Sequence, residues 1–89
     1  MPDTKRLPLA SLLLIYGTLI SISERTITQR YAQSYISAAN EIFRFVQHSE
    51  LHNLPITTDA IDSLIQRLDR AYPVIAPSAW DGVTTRTHL

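Results

Sequence analysis

Two histidines, His48 and His52, stand four residues apart, a spacing that on a helix brings both imidazoles to one face within reach of a shared metal ion. The order is H-S-E-L-H rather than the H-E-x-x-H of zinc peptidases, no third ligand is identifiable, and the pair falls where a long helical pattern ends. The expected role is a solvated last turn, where partial positive charge meets the negative end of the helix dipole. Asp59 and Asp62 form the nearest carboxylate pair; lying at the start of a helical pattern, they serve its dipole rather than acid–base chemistry. Serine is plentiful, yet no glycine-flanked nucleophile elbow or phosphate-cradling loop occurs, and 2 glycines in 89 residues leave little backbone for either. No enzyme activity, catalytic residue, metal or cofactor is expected.

Nucleic-acid recognition fares little better. The segment 28–45, TQRYAQSYISAANEIFRF, follows the apolar spacing of a helix-turn-helix, with Ala32 early, Tyr35 and Ile42 as internal contacts and Phe45 at the end. Ile36 and Ser37 occupy positions where the turn favours glycine followed by an apolar residue, and no basic cluster follows to meet phosphates. Eight basic residues balance eight acidic ones, so no basic footprint draws the chain to a polyanion. A DNA-binding regulator with a degenerate motif is therefore kept only as an alternative. Cysteine is absent, which removes disulfides and thiolate metal sites but leaves the compartment open.

The elements that would position these residues are helices, making an all-α fold: one small domain of three helices with a long central helix and an irregular C-terminal segment. Helix one, about 8–21, carries Leu9, Leu12, Leu13, Tyr16, Leu19 and Ile20 at i, i+3, i+4 spacing as its core stripe. A break is expected at Ser21 to Ser23, where Ser21 and Glu24 fit the capping box S-x-x-E. Helix two, about 24–48, repeats Ile27, Tyr31, Tyr35, Ala38, Ile42 and Phe45, widened by a second row of Ala32, Ile36, Ala39, Phe43 and Val46. Ala38 and Ala39 allow helix one to approach closely and form an antiparallel pair with it.

Helix three, about 58–72, has the clearest ends. Pro55 restricts what precedes it, Thr57 or Thr58 can cap it, and Pro73 stops it. With Thr57 as cap, Ile56 and Ile61 take the positions of a hydrophobic staple. Its apolar stripe, Ile61, Leu64, Ile65 and Leu68, must dock on the first two helices. Residues 73–89 are expected to be loop or brief turn, anchored by Trp80. The aromatic residues Tyr16, Tyr31, Tyr35 and Trp80 are assigned to packing rather than to an exposed patch.

What distinguishes the chain is Leu7 to Ile22, LPLASLLLIYGTLISI, apolar around almost its whole circumference. Lys5 and Arg6 before it and Ser21-Ile22-Ser23 after it match the order of a secretory signal, so a secreted helical protein with residues 1–23 as signal peptide is a second alternative. Pro8 at its start and the dilution by Gly17, Thr18 and Ser21 weaken that pattern, and the run is short of the roughly 20 apolar residues of a membrane span. A buried helix in a cytoplasmic protein accounts for it better. Leu14, Ile15 and Ile22 then project away from the core stripe and form the candidate interface. The expected function is a non-enzymatic protein–protein interaction module, a small regulatory adaptor or inhibitor whose partner is another protein, with a homodimer formed through this helix; nucleic acid and membrane are not expected partners.

Overall fold

The computed structural model describes residues 6–80, with side chains from Leu9 onward. The chain runs α1 (Arg6–Arg25), α2 (Gln29–Leu51), α3 (Thr58–Ala71) and a 3-10 turn (Pro77–Trp80), an all-α domain with an irregular C-terminal segment. The part of the expected tail beyond Trp80 lies outside the described residues. With only three residues between them, α1 and α2 fold back on each other as an antiparallel pair, the closest packed elements of the molecule. At 1.5 Å per residue the 23 residues of α2 span about 35 Å of a molecule whose longest extent is 43 Å.

The first break falls later than Ser21 to Ser23, and the hydroxyls explain why. Thr18 Oγ1 donates to the Leu14 carbonyl at 2.9 Å, Ser23 Oγ to Ile20 at 2.6 Å, and Thr26 Oγ1 to Ile22 at 2.7 Å. Side chains that bond back one turn do not cap the amides ahead, so the helix passes through them. Ser21 lies inside α1, and its carbonyl accepts from Arg25 Nε at 3.3 Å, so the expected capping box is not formed. The chain turns instead at Thr26, Ile27 and Thr28, three β-branched residues in a row whose stiffness disfavours helix. Thr28 precedes α2 in extended geometry and makes no side-chain cap.

At its far end α2 continues to Leu51 rather than stopping near His48. Asn53, the one non-glycine residue with positive φ among those described, sits at φ 54. Leu54 N–H donates to Ser49 at 2.8 Å and Asn53 N–H to Glu50 at 3.2 Å, the paired bonds of a Schellman motif. Asparagine tolerates the left-handed conformation that motif needs. The start of α3 follows expectation: Thr57 Oγ1 accepts from the Ala60 amide at 3.1 Å, with Asp59 in the first turn and Arg70 in the last.

The core draws mainly on two helices. Of the fully buried large side chains, Leu12, Ile15 and Leu19 come from α1 and Ile61, Leu64 and Leu68 from α3, while α2 adds Ile42 and the C-terminal segment Ile75. Between them α2 contributes Ala38 and Ala39, both with no exposed surface, small residues that permit close approach. The segment after α3 closes the cluster. Trp80 is buried, as its anchoring role required, and its indole N–H donates to Asp69 Oδ1 at 3.3 Å.

Candidate interaction surfaces

The buried arc of α1 runs through Ser11, Leu12, Ile15, Leu19 and Ser23. It is turned from the expected stripe by somewhat less than the roughly 100° that one residue spans on a helix. Three residues are placed differently from expectation. Ile15, expected on the interface, has no exposed surface; Leu13, expected in the core, is 53% exposed. Ile22 is also not free, being partly buried against the core. α1 packs chiefly against α2 and also meets α3 and the 3-10 turn, and these neighbours set which of its side chains are covered. Of the three expected interface residues only Leu14, 63% exposed, lies open.

The outer face of α1 is nonetheless a coherent surface. Leu13, Leu14, Gly17, Thr18, Ser21 and Arg25 line an open groove of about 340 Å³. Its floor is Gly17, where an added Cβ would meet no atom within 4 Å. The two leucines flank that floor as raised apolar side chains. On one edge the face continues onto α2 through Tyr16, whose ring lies 6.4 Å from that of Phe43, and Phe43 is itself half exposed. Ile36, two helical turns before Phe43, is exposed on the same flank of α2. Neither had been distinguished from the core row, because the second stripe of α2 is apolar throughout and only α1's placement decides which of its members are covered.

Other sequence candidates resolve differently. Residues 29–51 form one uninterrupted helix, so 28–45 contains no turn of the helix-turn-helix kind. Ile27 is almost fully exposed at the α1–α2 turn and Tyr31 half exposed, whereas Tyr35, Ala38 and Ile42 hold the buried stripe. The imidazoles of His48 and His52 do come together, with ring centres 4.4 Å apart, because the His52 amide still bonds to the His48 carbonyl at 3.1 Å. No group of three or more metal-ligating side chains occurs among the described residues. Nor is any described helix long and apolar enough to cross a membrane.

The opposite flank of α2 faces α3 and carries the charged chemistry. Tyr72, directly after α3, donates its hydroxyl to Glu41 Oε2 at 2.6 Å. That bond to the carboxylate, helped by burial and by the negative charge of Glu41 and opposed by Arg44, raises the phenol above its ordinary pKa of 10.0. Beside it, Glu41, Arg44, Phe45, His48 and Arg67 line a cleft of about 320 Å³ between the two helices. With this geometry in view, comparison with known proteins matches the chain to no family model, to no curated protein and to no solved structure.

Proposed function

We propose that this protein is a non-enzymatic interaction module, a small regulatory adaptor or inhibitor acting in the cytoplasm, which pairs with a second copy of itself through the outer face of α1. The observation that carries the reading is the form of that face. Leu13 and Leu14 stand as knobs beside a hole floored by Gly17, so a single patch holds both halves of a complementary contact. A glycine in a helix interior costs about 1 kcal/mol relative to alanine, and nothing among the described residues requires it at position 17. A helix from a second copy approaching closely there gives it a purpose. The cytoplasmic part of the reading is supported by the core, since cleavage after Ser23 would remove Leu12, Ile15 and Leu19 together.

Sedimentation equilibrium across micromolar concentrations tests the pairing. The wild-type protein is expected to dimerise, and Leu13→Glu or Leu14→Glu to give a folded monomer. Gly17→Ala is the sharper variant: it is expected to raise the monomer's unfolding free energy by about 0.5–1 kcal/mol while weakening the dimer. A wild-type protein that stays strictly monomeric over this range would end the proposal.

A further inference from the structure

The cleft between α2 and α3 brings three nitrogen-bearing side chains together around one opening. Arg44 and His48 lie four residues apart on α2, on the same face, and Arg67 reaches the cleft from α3. In a helix, Arg44 would ordinarily pair with Glu41 one turn earlier. Here the Glu41 carboxylate accepts the Tyr72 hydroxyl at 2.6 Å instead. Neither Arg44 nor Arg67 makes a hydrogen bond or ion pair among the described residues. Two arginines from different helices thus line one cleft, both exposed and without a hydrogen-bond or ion-pair partner among the described residues, and His48, also exposed, lines it with them. Phe45, partly buried, supplies an apolar wall.

We propose that this cleft is a binding site for a phosphate group, either the free ion or a small phosphate monoester. Guanidinium offers planar, paired donors that match phosphate oxygens, and donors arriving from two helices can hold a tetrahedral anion from more than one side, which a single flat carboxylate uses less fully. The volume, about 320 Å³, accommodates a phosphate with a small substituent lying against Phe45. Glu41 also lines the cleft, and its negative charge opposes an anion there, so the two arginines must outweigh it. Its bond to Tyr72 gives the carboxylate a donor of its own and ties α2 to the residue that follows α3. The site is separate from the outer face of α1, so occupancy does not require the self-association proposed above.

Titrating the full-length protein with inorganic phosphate, phenyl phosphate and acetate at constant ionic strength, followed by amide chemical shifts, is the test. The expected result is saturable millimolar binding of the two phosphates, with the largest shifts at residues 41–48 and around Arg67, and acetate at least about tenfold weaker. Arg44→Ala and Arg67→Ala should each weaken phosphate about tenfold or more. Arg30→Ala, which removes the same charge about 20 Å away along α2, should leave binding within about twofold. Phenyl phosphate binding tenfold or more tightly than the free ion assigns a monoester with Phe45 as its wall; equal binding assigns the free ion. Absence of saturable shifts, acetate binding equal to phosphate, or equal losses in all three arginine variants would overturn the site.

Discussion

Helices α1 and α3 put equal numbers of large side chains into the core, yet they announce themselves in opposite ways. In α3 the four apolar positions Ile61, Leu64, Ile65 and Leu68 are bounded by Asp59, Asp62, Gln66, Arg67, Asp69 and Arg70, so the polar side chains leave only one possible inward face. In α1 almost every position from Leu7 to Ile22 could be inside, and no polar stripe sets the rotation. Orientation is specified by contrast between faces rather than by apolar content. Where contrast is missing, the neighbours decide it, and here they cover Ile15 completely and leave Leu13 outside.

The largest expected effect tests that rotation directly. Ile15→Ala should cost about 3 kcal/mol through lost burial and a residual cavity, as Leu64→Ala in α3 should, whereas Leu13→Ala should cost under about 0.5 kcal/mol. Urea unfolding of dilute protein, kept below the concentration at which copies associate, measures all three. Equal losses at positions 13 and 15 would return α1 to the rotation its sequence first suggests.

A smaller effect probes how α3 is tied to the pair. Tyr72→Phe removes the hydroxyl bonded to Glu41 and should destabilise the protein by about 1 kcal/mol at neutral pH. Because the folded state raises the phenol's pKa above 10.0, the stabilisation is present in full below that pH and is lost as pH rises through the raised value. The gap between wild type and variant should therefore close in alkaline solution. A gap that stays constant beyond pH 10.0 would mean that the loss comes from packing rather than from the proton held between Tyr72 and Glu41.

The smallest difference, that between about 1 kcal/mol and a few tenths, compares helix starts. Thr57→Ala should cost about 1 kcal/mol, since Thr57 Oγ1 accepts the Ala60 amide, while Thr28→Ala should cost only a few tenths because Thr28 makes no such bond. Chemical denaturation of the two variants side by side decides it, and equal costs would give α2 a cap that its geometry lacks.

These contrasts also mark what was legible in the residues. The ends of α3 were, because Thr57 and Pro73 act locally and need no knowledge of the rest of the fold. So were the three-helix architecture, the close pairing of α1 with α2, the burial of Ala38 and Ala39, and that of Trp80. The first turn was not, since serine hydroxyls can either cap a helix or bond back within it, and nothing local to Ser21 and Ser23 chooses between the two. The run Thr26-Ile27-Thr28 was the available signal. The candidate interface fared worst: of Leu14, Ile15 and Ile22 only the first lies open, because exposure on an all-apolar helix depends on which other elements pack against it. The α2–α3 cleft was beyond reach from spacing alone, as Arg67 meets Arg44 and His48 only through the tertiary fold.

The burial of Trp80 has a practical consequence. It is the chain's 1 tryptophan, and it packs beyond α3 in the same cluster as side chains of all three helices. Its emission therefore reports whether the last turn remains closed on the domain, so that a shift to the red arriving before the loss of helical circular dichroism would reveal the C-terminal turn opening ahead of the bundle.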